Sequence, residues 1–320
     1  MRSGPLLRAI VGIVISVAAL WFVLRGVDLA RTAELLGAAD LRWVAFAAGL
    51  MALDLACRAL RWQRLLRPIA AVRYRPMLGY LLIGYLANNV LPARLGELVR
   101  SHYLGDREGI SRASALGTVV VERVVDLVAV VAIASAALLL LSVRGVVASA
   151  VLVGAGVTGL FMVVVALGIV AHRLPGADRL RALVERWPRV RALATSLQGG
   201  LAVAGRLRTV AEALVASALS WTLAILAYAA VGQAIGLELS LGQAALIASG
   251  VALASAIPAG PSNLGTFEFA AVEIGRVVGV PPDSAFALAL LVHATILVVT
   301  SVGGGIAFAR LGWRRAGAAA

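Results

Sequence analysis

The stretch NNVLPARLGELVRSHYLG, residues 88–105, decides how the rest of this chain is interpreted. It follows the apolar run MLGYLLIGYLA at 77–87, yet it contains two asparagines, a proline, two arginines and a glutamate. Such residues occur both in an ordinary exposed loop and in a polar segment held inside a membrane. The surrounding sequence has to separate these two interpretations.

The composition is that of an integral membrane protein. Of the 320 residues, 61% are hydrophobic and 14% are charged, and the mean hydropathy is +0.96. Soluble domains are ~45–50% apolar and ~25% charged. Several apolar runs also reach the ~20 residues that a spanning helix needs. We therefore expect an all-α polytopic membrane protein that forms one integral membrane domain over residues 1–320.

The charges argue against nucleic-acid binding. The 29 basic residues are all arginine, and they lie between apolar runs, where charge sets the orientation in a membrane. Cys57 is the one cysteine, so the chain has neither an internal disulfide nor a cysteine-based metal site. We find no catalytic, metal-binding or cofactor-binding motif. We expect a protein that is not an enzyme and that uses no cofactor.

Two apolar regions are interrupted in the middle, which predicts re-entrant hairpins. The first, 77–105, is broken at 91–94, and the second, 241–280, is broken at IPAGPSNLG, 257–265. Their halves are mostly too short for a hydrocarbon core of ~30 Å. We predict about six full transmembrane helices besides these two hairpins, at 6–24, 41–60, 112–141, 146–171, 209–233 and 284–310.

The arginine distribution predicts the orientation. With each hairpin entering and leaving by one face, the cytoplasmic segments contain 22 arginines and the outer segments contain 5. Both termini are then cytoplasmic, the protein lies in the cytoplasmic membrane, and the two hairpins have opposite orientations. The breaks resemble each other in sequence, which indicates an inverted repeat with halves 1–141 and 146–310. The Arg-rich segment 172–208, within the second half, is either an amphipathic helix on the membrane surface or a solvated linker.

Ionisable side chains inside a membrane are expensive, at ~2.5–3.5 kcal/mol each, so they are the candidate binding residues. In the first break these are Arg94 and Glu97, with Asn89 beside them. A helix starting near Ala93 would combine its free N–H groups with an arginine, which suits a phosphate. The alternatives are an internal Arg94–Glu97 pair, and an asparagine that only satisfies backbone groups freed at the break.

The third span, VVVERVVDLVAV at 119–130, contains Glu122, Arg123 and Asp126. Glu122 and Asp126 are four residues apart and share a helix face. These three groups either form a closed ion-pair cluster or bind a headgroup or a proton.

Other candidates lie in the second span, the second break and the last span. Asp54 and Arg58 have the favourable spacing of a helical ion pair. Asn263 lies within the second break and Glu268 follows it. Asn263 or Thr266 suits the cap of the next helix, and a carboxylate is favoured in its first turn. His293 is either a hydrogen-bonded packing residue or a proton relay.

The segments NNVLPARLGELVR, VVERVVDL and IPAGPSNLGTFEFA together resemble the lysylphosphatidylglycerol synthase transmembrane family, also called flippase-like membrane proteins. The resemblance covers about residues 10–310. It implies a unit that moves an aminoacylated phospholipid between leaflets. We expect a stand-alone membrane unit without the synthase domain, since the longest soluble stretch is under 40 residues. The resemblance implies a site at Arg94, Glu97, Glu122, Arg123, Asp126 and Glu268.

We therefore predict a lipid translocase, or flippase, whose partner is a membrane lipid with a polar or anionic headgroup. One alternative is a membrane-embedded transferase that acts on a lipid or a polyprenyl phosphate. Another is a scaffold for a lipid or glycan enzyme. A homo-oligomer and a lipid-synthesis enzyme stay open as protein partners.

Overall fold

The computed structural model describes residues 3–91, 95–170, 199–255 and 260–312, and every regular element within these ranges is a helix. Two of the helices are short 3₁₀ turns, Ala202–Gly205 and Pro261–Asn263. The α-helices are α1 (Ser3–Leu24), α2 (Leu29–Gly37), α3 (Leu41–Leu66), α4 (Tyr74–Val90), α5 (Gly96–Glu108), α6 (Arg112–Leu140), α7 (Val146–Val170), α8 (Leu207–Ala234), α9 (Leu241–Ala254), α10 (Thr266–Val277) and α11 (Pro282–Leu311).

Five of these helices, α3, α6, α7, α8 and α11, are long and apolar enough to cross a membrane. A sixth span comes from α1 if it is counted together with α2, which continues from it after a bend of 92°. Asp28 caps the start of α2, where its carboxylate accepts from the backbone N–H of Ala30 and Arg31. The protein is therefore a multi-pass membrane protein with five or six candidate spans in the described residues, where the sequence predicts about six.

Large apolar side chains cover much of the outer surface. Leu139, Val146 and Leu152 are more than 70% exposed. A water-soluble protein rarely exposes large contiguous apolar patches, but lipid tails are a favourable solvent for them. These faces agree with placement in a bilayer.

The order of long helix, broken helix pair, long helix occurs twice. It runs α3, α4–α5, α6 and then α8, α9–α10, α11. The contacts are reciprocal, because α3 packs on α8, α4 packs on the last helix of the second set, and α9 packs on the last helix of the first set. Two copies related by a two-fold axis would give this pattern. The inverted repeat and the re-entrant placement of the broken pairs stay predictions.

The two halves of the first broken pair touch through glycines. A Cβ atom added to Gly84 would lie 2.9 Å from the Gly96 carbonyl oxygen. On the other side of α4, a Cβ on Gly304 would lie 2.7 Å from the Leu82 carbonyl oxygen. The backbones of α4, α5 and α11 therefore approach more closely than any side chain would permit, which positions the first break against α11.

Most of the predicted Arg-rich segment, from 171 to 198, lies outside the described residues.

Candidate functional site

Helix α3 presents three ionisable residues on one face, at the spacing i, i+4 and i+7. Arg58 Nε donates to Asp54 Oδ1 and Oδ2 at 3.0 and 2.9 Å, which confirms the ion pair predicted between them. Asp54 also accepts a hydrogen bond from the Ser220 hydroxyl of α8. The third residue, Arg61, lies one further turn along.

Arg61 joins three helices. Its Nη1 donates at 2.6 Å to both Asp126 Oδ1 and the Ser217 hydroxyl, and its Nη2 donates at 2.9 Å to Glu122 Oε1. Arg61 is fully buried. The predicted orientation includes Arg61 among the 22 cytoplasmic arginines, because it follows the span 41–60. The structure shows that its side chain is buried between α3, α6 and α8.

The acidic residues of α6 are the common partners of these arginines. Arg123 Nη2 lies 3.3 Å from Glu122 Oε1, and Arg123 Nη1 lies 3.7 Å from Asp126 Oδ2. Glu122 and Asp126 are therefore closed within ion pairs, as one of the two interpretations of this motif expected. Arg123 is partly exposed, whereas both carboxylates are buried.

Arg100, from α5, connects the first broken pair to the ion-pair cluster of Asp54, Arg58, Arg61, Glu122, Arg123 and Asp126. Its Nη2 lies 2.9 Å from Glu122 Oε2, and its guanidinium group stacks over the Trp62 ring at 4.6 Å. Its Nη1 is buried and has no hydrogen-bond partner among the described residues. The predicted orientation places Arg100 on the cytoplasmic side, and the structure shows that its side chain is buried, at 3% exposed.

The cluster forms one wall of a partly open cavity of about 610 Å³. The cavity is also lined by apolar side chains, which include Leu127, Val130, Val157, Phe161, Val251 and Ile296. The polar wall includes Asp54, Arg58, Tyr85, Asn88, Glu97, Arg100, Arg123, Asp126 and Trp221. One space thus combines charged groups with an apolar surface.

Several polar groups of this wall have no partner in the part of the chain that the structure describes. Arg100 Nη1, Arg123 Nε and Trp221 Nε1 are buried N–H donors without an acceptor there. Glu97 lines the same cavity and forms no ion pair with any described residue. Buried donors normally have acceptors, so the wall is prepared for a ligand that carries acceptor atoms.

The asparagines of the first break are engaged in structural contacts. Asn88 Oδ1 accepts from the Gly96 backbone N–H at 2.7 Å, at the start of α5. The Asn89 side-chain amide donates to the Thr300 and Ser301 hydroxyls of α11 at 2.8 and 3.0 Å. Asn89 therefore holds α4 against α11, which agrees with the structural alternative. Arg94, the central candidate of this break, lies outside the described residues.

The second break meets the first directly. The Ser262 hydroxyl donates to the Asn89 carbonyl oxygen at 3.0 Å. Glu268 Oε2 accepts from the Gly265 N–H at 2.6 Å, so this carboxylate, rather than the proposed Asn263, caps α10. Asn263 has a φ of 59°, a conformation that asparagine tolerates better than most residues.

Among the described residues, Glu268 forms its ion pair with His293 and with no arginine. The His293 Nδ1 atom lies 2.6 Å from Glu268 Oε1. His293 is thus hydrogen-bonded and buried inside the protein.

The structure brings Asp54, Arg58, Glu97, Arg123 and Asp126 to one cavity, with Glu122 buried in the same ion-pair cluster. It places Asn89, Asn263, Glu268 and His293 at the meeting point of the two breaks. Sequence reasoning missed Arg61 and Trp221 as members of the first group, and it placed Arg100 on the same face as Glu97 without naming it a binding residue. Arg61 shares a helix face with Asp54 and Arg58, which was the available signal. Trp221 gave no signal, because tryptophan is common in apolar spans. Among the described residues, no group of His, Cys, Asp and Glu could hold a metal ion.

Comparison with known proteins gives a family and one relative. Residues 9–304 match the family described as the lysylphosphatidylglycerol synthase TM region. A protein of Haloferax volcanii named Glycosyltransferase AglD is 28% identical over 336 aligned positions, which cover 92% of this chain and 53% of that protein. This chain therefore spans about half the length of that relative. No solved structure matches this chain.

Proposed function

This chain belongs to the lysylphosphatidylglycerol synthase transmembrane family, and from that premise we propose that it is a lipid translocase. It would move a phosphate-containing lipid headgroup between the leaflets of the cytoplasmic membrane. The observation that carries the proposal is the cavity of about 610 Å³, which is lined by both charged and apolar side chains. A lipid is amphipathic in the same way.

The polar wall suits a phosphate. Arg100 and Trp221 are almost completely buried and keep N–H groups without acceptors, and phosphate oxygens are strong acceptors. Arg123, the more exposed arginine, keeps a free Nε in the same wall. Arg58 has its charge paired to Asp54, so it adds positive potential with less free hydrogen-bonding capacity.

A second group of the headgroup would bind at Glu97. This carboxylate has no ion-pair partner among the described residues, and it lies in the same cavity as Arg100. An ammonium or hydroxyl group attached to the phosphate would satisfy it. The proposed substrate class is thus a phospholipid whose headgroup carries both a phosphate and a donor group, such as an aminoacylated or ethanolamine headgroup.

The tails would stay in the bilayer while the headgroup passes through the cavity. The contact between the two breaks, through Ser262 and Asn89, lies next to this cavity, since Asn88 is one of its lining residues. In an inverted-repeat transporter, the substrate site lies where the broken helices of the two repeats meet. The predicted opposite orientation of the two hairpins would place that site near the midplane.

The test is headgroup movement in proteoliposomes. Phosphatidylcholine vesicles would contain the purified protein and a trace of phospholipid with a fluorescent headgroup, and dithionite would quench the label in the outer leaflet. We expect the wild type to accelerate the crossing of the headgroup. The variant Arg100→Gln loses a charge-assisted bond of ~1.5–3 kcal/mol, so its rate should fall by about tenfold or more.

The matched control is Arg31→Gln, because Arg31 is an exposed arginine paired only to Glu34. It should move lipid at the wild-type rate. If Arg100→Gln moves lipid at the wild-type rate, and gel filtration shows both variants to be equally well folded, Arg100 does not bind the phosphate.

A second candidate rests on the named relative. Because that protein is called a glycosyltransferase, this chain would instead hold a polyprenyl phosphate for a glycan enzyme, as a membrane-embedded transferase or as a scaffold. Mass spectrometry of lipids that co-purify with the wild type separates the candidates. Enrichment of a polyprenyl phosphate favours this second function, and enrichment of a phospholipid class favours translocation.

A further inference from the structure

Next to the second break lies a buried pair, Glu268 of α10 and His293 of α11, which is not part of the proposed headgroup site. Glu268 is 2% exposed and His293 is 4% exposed. The His293 ring is stacked on Phe267, with ring centroids 4.4 Å apart, so its orientation is held by packing as well as by hydrogen bonds. Both ring nitrogens have partners.

Both partners of the ring are acceptors. Nδ1 lies 2.6 Å from Glu268 Oε1, and Nε2 lies 3.0 Å from the backbone carbonyl oxygen of Ser262. The other carboxylate oxygen of Glu268 already accepts the Gly265 N–H. A carbonyl oxygen has no proton to donate, so Nε2 must carry a hydrogen.

The Nδ1 contact also needs a hydrogen, and only two protonation forms supply it. In one, His293 is an imidazolium and Glu268 is ionised. In the other, Glu268 is a carboxylic acid that donates to a neutral His293. Both forms contain one proton more than neutral histidine with ionised glutamate. That proton-poor form leaves two acceptors facing each other, either at Nδ1 or at Nε2.

We propose that Glu268 and His293 form a proton-binding site, and that the bound proton holds the two helix breaks together. Ser262 is the link, because its carbonyl oxygen accepts from His293 while its hydroxyl donates to the Asn89 carbonyl oxygen of the first break. Loss of the proton turns the Nε2 contact from attractive to repulsive, or it expels Glu268 from Nδ1. Either change removes one of the two contacts that His293 makes with the second break, and so weakens the support of that break on α11.

The pair lies next to the cavity. Phe267 and Val292, which precede Glu268 and His293 in the chain, both line it. The inference itself concerns only the second break and does not depend on what the cavity carries.

No described charge nearby can replace the proton. Of the helices packed on α10, the described side chains of α1 (11–24) and all of α9 contain no ionisable residue. Helix α8 contributes the Tyr228 phenol, which interacts electrostatically with Glu268. On α10 and α11 the remaining ionisable groups are Glu273, Arg276, Asp283 and Arg310, and Glu273 and Arg276 pair with each other. The arginines of the cluster are paired to Asp54, Glu122 and Asp126.

Two variants have opposite expected results. In Glu268→Gln, the amide oxygen accepts the Gly265 N–H and the amide nitrogen donates to Nδ1 of a neutral His293. Every contact of the proton-bound form is then present without a titrating proton. In His293→Phe, the stacking on Phe267 can persist, but both hydrogen bonds of the ring are absent.

The experiment measures the contact between the breaks as a function of pH. Spin labels would be attached at Val90 and Leu264, which are 67% and 53% exposed and adjoin the contact in sequence, in a chain whose one cysteine is removed by Cys57→Ala. The protein would be placed in lipid nanodiscs, and dipolar broadening of the spin-label spectrum would show that the two labels are close together. Losing one buried hydrogen bond changes such an equilibrium by about tenfold.

We expect the wild-type spectrum to be broadened at pH 6. The population in which the two breaks are apart should rise about tenfold by pH 9. The Glu268→Gln variant should stay broadened at both values, and His293→Phe should be separated at both. The proposal is overturned if the wild type does not change with pH, or if Glu268→Gln separates as pH rises. If His293→Phe does not fold, the wild type and Glu268→Gln decide the question alone.

Discussion

The two helix breaks solve the same backbone problem with different side chains. Each begins its second helix with a glycine N–H that needs an acceptor. At the first break the acceptor of Gly96 is the Asn88 amide, and at the second break the acceptor of Gly265 is the Glu268 carboxylate. An amide cannot titrate, whereas a carboxylate can. The first break is therefore held by a fixed group, and the second by a group that exchanges a proton.

The surroundings of the two breaks differ in the same sense. The helix after the first break contributes Arg100 to a cluster in which arginines and carboxylates compensate one another. The second break has one carboxylate and one histidine, whose Oε1 and Nδ1 atoms lie 2.6 Å apart. Buried charge is compensated by fixed partners in one region and, in our proposal, by a bound proton in the other. We expect substitutions to be most damaging where the partners are fixed and most numerous.

The largest effect is expected at Arg61. Replacing it in Arg61→Leu leaves Glu122 and Asp126 with fewer positive partners in a buried place, which should cost about 3–5 kcal/mol of unfolding free energy. The control is Arg64→Leu, because Arg64 is 40% exposed and lies 3.7 Å from Glu212. That change should cost less than about 1 kcal/mol. Unfolding in mixed detergent micelles measures both, and equal losses would contradict a cluster of mutually dependent charges.

An intermediate effect is expected from closing the gap between the helices of the first break. In Gly96→Ala the added Cβ would overlap the Gly84 carbonyl oxygen and the Asn88 side chain. Overpacking of this kind costs about 1–3 kcal/mol. The matched helical glycine is Gly305, which has no atom within 4 Å of an added Cβ. Gly305→Ala should be neutral or stabilising in the same thermal unfolding assay, and a similar loss in both would argue against the close approach.

The smallest effect is expected at the cap of the first break. Asn88→Ala leaves the buried Gly96 N–H without its acceptor, at a cost of about 1 kcal/mol. Asn88→Asp keeps an oxygen at that position, as Glu268 does at the second break, and should lose less than the alanine variant. Thermal unfolding of the two variants at neutral pH checks this order. Identical losses would show that the amide oxygen is not what supports the glycine.

Much of the fold follows from local sequence. The long apolar runs predicted the spans, and the polar interruptions at 91–94 and 257–265 predicted that two of the apolar regions would be broken. The prediction missed the short helix Leu29–Gly37, because it depends on a cap at Asp28 and on a sharp bend after α1. Local hydropathy contains no information on such a bend.

The site is divided in the same way. The pair of Asp54 and Arg58 was predictable, because the two residues are four apart on one helix. The positions of Arg61 and Arg100 were not, because a guanidinium near the end of a hydrophobic run can either extend to the interface or turn inward. Which of these occurs depends on whether another helix offers a carboxylate.

The sequence by itself determined that this is a helical membrane protein with two polar helix breaks and with intramembrane charges, since hydrophobic length and charge placement are properties of the chain alone. Only the tertiary structure decided which charges meet. Glu122 and Asp126 are 61 and 65 residues from Arg61, and Glu268 is 25 residues from His293. Such pairs form because a buried charge must find a partner among the neighbouring helices, and helix packing selects that partner.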